Sequence, residues 1–340
     1  MRNAASVLLV LALLGSGSGL GAVPADVTYV NGEATLRRAS GRLADASIGD
    51  TLDSGDGLAT GADGTVELDR AGVIVRIAPG TVFTLMERSE GGAAAPVVSV
   101  VLGSVKLRYS RLTGKEPSIR TASSAAGVRG TELTVYAGAD GSSLFVVDSG
   151  VVTVEAEGRS VELGPSEAVE VPLGRPPGEK TRVERDQIDF RAWSEGKLAA
   201  LLADPLASMA SVRARLASYI ESVESWDRLY REAKAQLDGE RAKRVALAKD
   251  KGAEEAAKYE KDIVEPLALE TRARFLNLRY NALAALSLRR YVAGRLYVML
   301  KPRELVSPND PLVRAFRAEF AVMLEAFERS ITPRLVDADI

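Results

Sequence analysis

Two rhythms of apolar and polar residues divide the chain. Between Val27 and about Leu173, apolar positions alternate with polar ones in short runs bounded by Gly, Asp or Ser. In "GTVELDR" Val66 and Leu68 share a face, in "GSVKLRY" Val105, Leu107 and Tyr109 do, and in "GVVTVEAEG" Val152 and Val154 do. A period of two is what a strand needs to bury one side. Asp63-Gly64 and Asp140-Gly141 tolerate positive φ and so predict turns between strands. Turn signals about every ten residues predict an all-β region, built as a twisted β-roll, a solenoid-like stack or a sandwich.

Beyond about residue 183 the period lengthens. Val212, Leu216, Tyr219, Val223, Trp226, Tyr230, Ala233 and Leu237 recur at alternating steps of four and three, which keeps one apolar seam on a long helix. A further helix is predicted from about Leu267 to Leu300. Another starts at Asp310-Pro311 and carries Val313, Phe316, Phe320, Met323 and Phe327 along one side. These aromatics read as bundle core. The intervening "GERAKRVALAKDKGAEEAAKYEKD" is dense in both charges and reads as a solvated helix or a mobile connection. The prolines of "GRPPGEKTR" mark a linker. The expected organisation is therefore a multi-domain chain: a leader at 1–25, a β-domain at 26–173, a linker at 174–182, and an all-α helical bundle or coiled-coil domain at 183–340.

The leader changes the setting. Arg2 precedes an apolar run from Ala4 to Leu14, and a Gly/Ser-rich stretch leads to Val23-Pro24-Ala25, the pattern of a cleavable secretory signal. The run is too short to span a bilayer. Export is expected, to the periplasm or another extracytoplasmic space, with retention as an uncleaved anchor as the alternative. The sequence contains no cysteine and no histidine. That removes lipoprotein acylation, disulfides, thiolate or imidazole metal sites, and nucleophilic machinery built on a histidine base. No cofactor or metal is expected. An enzyme would need carboxylates or a Ser-Lys arrangement. Asp53, Asp56, Glu155 and Glu157 lie in turns or alternating runs and read as solvent-facing, which leaves a carboxylate-dependent glycan hydrolase as the weakest reading.

Charge is unevenly spread. Residues 26–180 carry an excess of acid and 181–340 an excess of base. Between Pro266 and Arg303, Arg272, Arg274, Arg279, Arg289, Arg290, Arg295, Lys301 and Arg303 face one acid, Glu270. Arg272, Arg279, Arg289, Arg290 and Arg295 are therefore a candidate charged contact surface, toward the β-domain, an acidic protein or an anionic membrane surface. "LAALSLRRYVAGRLYVML" is not a membrane span, since each central arginine costs roughly 2.5–3.5 kcal/mol on insertion scales. Nucleic acid is not an expected partner of an exported chain.

The stretch "TASSAAGVRGTELTV" lacks the Lys-Ser/Thr pair and following helix of a phosphate loop, and the serine between glycines of a nucleophile elbow. Its β-branched end predicts a strand. Gly127, Val128, Arg129, Gly130 and Thr131 read as scaffold, the glycines supplying special backbone geometry and Arg129 bonding carbonyls, an acidic neighbour or a ligand. Together with "IGDTLDSGDGLATGADGTVELDRAGVIVRIAPGTVFTL", "LGSVKLR" and "FVVDSGVVTVEAEGRSVELGPSEAVEV", this stretch resembles the FecR domain of bacterial extracytoplasmic proteins, over the N-terminal half only. The resemblance implies an all-β roll or solenoid-like domain that makes protein or envelope contacts without catalytic chemistry. Thr121-Ala122 stands where Thr-Pro is common in that family, and Asp69-Arg70-Ala71-Gly72 replaces an Asp-Gly-Ser turn. No room is seen for an anti-sigma arm before the apolar run, and a helical bundle stands where the family's receptor-contacting module would follow. The functional expectation is a non-enzymatic exported envelope protein, a FecR-like binding or assembly module with a helical partner-binding domain and self-association through its helices. The alternative is a membrane-retained signalling regulator of the FecR type.

Overall fold

The computed structural model describes residues 24–90, 93–109, 118–183 and 188–336. The expected leader lies almost wholly outside the described residues. Strands β1 (Ala25–Asn31), β2 (Ala34–Arg37), β3 (Leu43–Asp45), β4 (Thr51–Leu52), β5 (Gly57–Thr60), β6 (Thr65–Arg70), β7 (Val73–Ile77) and β8 (Val82–Glu90) precede the long β9 (Ala93–Tyr109). β10 (Ser118–Arg120), β11 (Ala125–Ala137), β12 (Ser143–Ala156), β13 (Arg159–Leu163), β14 (Glu167–Val171) and β15 (Thr181–Arg182) follow. All belong to one 15-stranded hydrogen-bonded network, with the chain β8, β5, β2, β3 branching from β9 and β13 branching from β12.

The network curls because two strands change partners along their length. The start of β9 lies antiparallel to β8 (Met86 opposite Val97) and parallel to β10 (Ile119 opposite Val98), whereas its end runs between β7 and β11, with Leu107 opposite both Val75 and Leu133. β11 pairs with β10 at Ala125 and Ala126 and with β9 from Glu132 onward, so β9, β10 and β11 pair mutually. The switch falls where the register between β11 and β12 slips, after Arg129. Gly130 has φ 61° and Gly150, on β12, has φ 82°. A Cβ at Gly150 would collide with the Gly130 carbonyl oxygen and sit 2.9 Å from the Thr131 Cα, so only glycine permits this approach. The alternating faces meet in a core that includes Leu36, Leu58, Leu68, Ile77, Phe83, Leu107, Phe145 and Val152.

The helices are α1 (Phe190–Ala203), α2 (Pro205–Lys251), α3 (Ala253–Tyr259), α4 (Glu265–Ser287), α5 (Gly294–Val306), α6 (Pro311–Ser330) and α7 (Thr332–Val336). Asp189, Asp204 and Asp310 cap α1, α2 and α6, their carboxylates accepting from the amides of Ala192, Ala207 and Leu312. In α2 and α6 the cap precedes a proline, whose fixed φ suits the first turn. The charged segment after Leu237 is helical up to a break at Gly252. The helix expected from Leu267 to Leu300 is longer and uneven: π turns at Glu260–Val264 and Leu288–Ala293 join α3, α4 and α5 into one passage ending at Val306.

The helical region is built onto the sheet. Met209, Val212, Leu216, Tyr219 and Val223 of α2 share a core with Phe316, Met323 and Phe327 of α6, and Ala139, Leu102, Ala122 and Leu173 of the β-region pack into that same core. A second contact stacks Tyr136 of β11 on Phe190 of α1 at 4.7 Å, with Trp193 beside it donating its indole N–H to Glu170 at 3.2 Å. The segment 174–182 is held down as well, through the Gly178 amide on the Glu170 carbonyl (2.9 Å) and through β15 on β14.

Candidate functional site

A cleft of about 470 Å³ lies where the β12–β13 hairpin faces α2 and α4. Its base is Arg120, the last residue of β10. β10 is covered on both faces: Ile119 enters the sheet core, and Arg120 points the other way, under the helices, where it is 7% exposed. Its guanidinium lies 4.1 Å from the Tyr280 ring centroid on α4 and 5.1 Å from that of Tyr219 on α2. Burial works against its charge, but the phenols of Tyr219 and Tyr280 outweigh that and hold its pKa above the ordinary value. Cation–π contacts of this kind are worth about 2 kcal/mol when desolvated.

Arg215 stands one helical turn before Tyr219. Its guanidinium lies 4.8 Å from the Tyr219 ring, donates to the Ala122 carbonyl at 3.3 Å, and pairs with Glu157 at 3.0 Å. Burial pushes the Tyr219 phenol up, yet Arg120 and Arg215 pull it down further, so it ends below the usual tyrosine value. Glu157 and Gly158 form the two-residue tip of the β12–β13 hairpin, with φ 47° and φ 72°. Such a tip favours Asn or Gly, so a glutamate there carries local strain. It spends that strain reaching across to α2.

Beneath the cleft, four buried hydroxyls bond one another. Thr121 meets Ser124 at 2.9 Å, and Ser143 meets Ser123 at 2.8 Å and Ser124 at 3.0 Å. These bonds satisfy polar groups that would otherwise cost about 1–3 kcal/mol each. The stretch singled out in the sequence thus divides. Thr121 to Ala125 turns under the cleft, which Ser124 and Ala125 line, while Gly127, Val128 and Arg129 lie in strand opposite Thr153, Val152 and Val151. Gly130 occupies the bulge with positive φ, and the Thr131 hydroxyl is buried without a hydrogen-bond partner among the described residues. The Arg129 side chain lies outside what is described.

The five basic positions are dispersed. Arg279 abuts Gly55 in the turn before β5, and Arg289 lies over the Phe327 ring at 4.8 Å. Arg295 is half-buried, whereas Arg272 and Arg290 are exposed. Nearby, Asn277 accepts from the Ser89 amide at 3.0 Å, fixing α4 against β8. Val298, Met299, Leu305 and Val306 of α5 are exposed alongside Lys301.

One acid departs from expectation. Asp56 is 4% exposed instead of facing solvent, because its carboxylate accepts from the Ala39 amide (2.8 Å), the Asp53 amide (3.1 Å) and Arg38 (2.8 Å). It organises a turn. Among the described residues no cluster of acidic side chains could hold a metal ion, and no helix is long and apolar enough to cross a membrane.

No family model and no curated protein matches the chain. Two crystal structures, each described as a "putative anti-sigma factor" from Parabacteroides distasonis, share part of its course. One is 19% identical over 41% of this chain and 65% of its own, with a TM-score of 0.34. The other is 18% identical over 43% and 70%, with a TM-score of 0.33. The chain thus spans about two thirds of their length, and at such scores the likeness carries no argument about fold or function.

Proposed function

We propose that the protein is an exported, non-catalytic binding module of the cell envelope, in which a FecR-like β-domain anchors a helical partner-binding arm. The observation that carries this reading is the shape of α2. At 47 residues it is about 70 Å long, and no residue beyond Leu237 is buried. Its outer part pairs with α3 and the following π turn through polar contacts such as Tyr259 with Glu240 and Arg244 with Glu260 (2.8 Å). Only Ala256 and Val264 are buried there. A stiff, two-signed charged hairpin on a β-body suits recognition. The ionisable groups of the cleft fit the same reading, since Glu157 is already committed to Arg215.

Photocrosslinkers at Val245 and Lys258 in the intact envelope should give a defined protein adduct, and one at Thr28 on β1 should not. Finding the chain in the cytoplasm, or finding no adduct from either arm position, would refute the proposal. The second reading, a membrane-retained signalling regulator, agrees with the description given to the two crystal structures but has no further support. Isolation of a mature chain beginning near Asp26 and free in the extracytoplasmic fraction would exclude it.

A further inference from the structure

We infer that the cleft between the β12–β13 hairpin and helices α2 and α4 binds a carboxylate through Arg120 and Arg159. This goes beyond the arm's protein contact and uses a different surface, so either can fail alone.

The argument starts from an incomplete charge balance. Arg120 is more than nine-tenths buried, and the groups beside its charge are the two phenols, with no carboxylate paired to it among the described residues. A buried guanidinium ordinarily has a carboxylate or phosphate in fork geometry. Tyr219 and Tyr280, with ring centroids at 5.1 and 4.1 Å, also accept from it through their phenol oxygens, which leaves the remaining N–H donors of the five-donor guanidinium for an oxyanion. Arg120 lines a cleft large enough to admit a small ligand. Arg159 and Ser160, exposed on β13, line the same cleft, as does the buried Ser124. A second charge and two hydroxyls therefore converge on it.

The sign and size of the ligand follow from the acids at the rim. Glu157 is neutralised by Arg215, but Glu155 is exposed and lines the cleft. Among the described residues one acid and two arginines of the cleft lack an ion-pair partner, a balance that favours a singly charged carboxylate over a dianionic phosphate. The carboxylate could be a free small acid or an acidic side chain of a peptide.

Calorimetric titration and thermal melting of the full mature chain at low ionic strength would test this, using acetate, propionate, a capped peptide with one acidic side chain and inorganic phosphate as probes. Carboxylate probes should bind and raise the melting temperature. Arg159→Ala should weaken binding about tenfold, the scale of one exposed charge-assisted contact. Arg120→Met should abolish binding, with circular dichroism of the unliganded variant showing that it still folds although the contacts with Tyr219 and Tyr280 are lost. Should that variant not fold, Arg159→Ala and Ser160→Ala carry the test at exposed positions. Binding of peptide alone would assign the carboxylate to a partner side chain; binding of propionate would assign it to a free acid. Tighter binding of phosphate overturns the ligand class. No response to any probe, or wild-type affinity in both exposed variants, overturns the site.

Discussion

Gly127 and Gly150 face each other's strands a few residues apart, yet alanine at the two positions should act in opposite directions. Gly127 lies on exposed extended backbone, and a Cβ there would meet nothing within 4 Å. Gly127→Ala should therefore stabilise by about 0.4–1 kcal/mol, chiefly by restricting the unfolded chain. Gly150 has φ 82°, and its Cβ would collide with the Gly130 carbonyl. The left-handed conformation alone costs an alanine about 1–2 kcal/mol. Relieving a backbone collision adds about 1–3 kcal/mol, the range for overpacking. The variants should thus differ by about 3 kcal/mol or more, roughly two powers of ten in the folding equilibrium. Urea unfolding of the full chain, followed by circular dichroism, would read this as midpoints moving in opposite directions at constant slope. Midpoints moving the same way would refute the assignment of the β11–β12 bulge as the point where the sheet demands glycine.

Three more perturbations test other parts of the structure. Asp56→Ala should cost about 3 kcal/mol, because it removes the buried acid that pairs with Arg38 and accepts from the Ala39 and Asp53 amides, and chemical denaturation would show it. Tyr219 should ionise below the ordinary phenol range; since the unfolded chain keeps its proton longer, stability should rise as pH climbs from the folded value toward the ordinary one. Alkaline phenolate absorbance and melting curves would check this, and Tyr219→Phe should remove the early phase. Reversing the exposed Arg272 and Arg290 to Glu should weaken any association with anionic vesicles about tenfold or more, while Arg289→Glu should mainly lower stability by losing its place over Phe327; flotation and thermal melts separate the two.

The change from a period of two to steps of four and three was readable because each half of the chain buries one continuous face. Caps were readable too: Asp310-Pro311 carries its own geometry. The cleft was not. In "SIRT" the pattern places Ile119 inward and Arg120 outward, which in an ordinary strand means solvent, and nothing local reveals that α2 and α4 cover the outer face. Tyr219 appeared only as one more apolar seam position, since its phenol matters only once Arg120 and Arg215 stand beside it. Asp56 misled for a related reason: an aspartate in a Gly-rich turn usually faces water, and its three partners come from segments 3 to 18 residues away. The basic helix showed its charge but not its rotation, so Arg279 and Arg289 could not be told from Arg272 and Arg290.

The two π turns in the passage from Ala253 to Val306 set how this region can change over evolutionary time. Each holds one residue more than an α-helix of the same span would need, at Glu260–Val264 and again at Leu288–Ala293. Deleting a single residue at either turn would restore regular winding without breaking the helix. Because each π turn already absorbs that extra residue, everything downstream would keep its rotation about the axis. At the second turn, Leu296 and Leu300 would stay in the core and Val298 and Met299 outside it. The length of this passage can therefore shrink by one residue at either turn, whereas a residue lost from its regular α segments would turn every later side chain by about 100°.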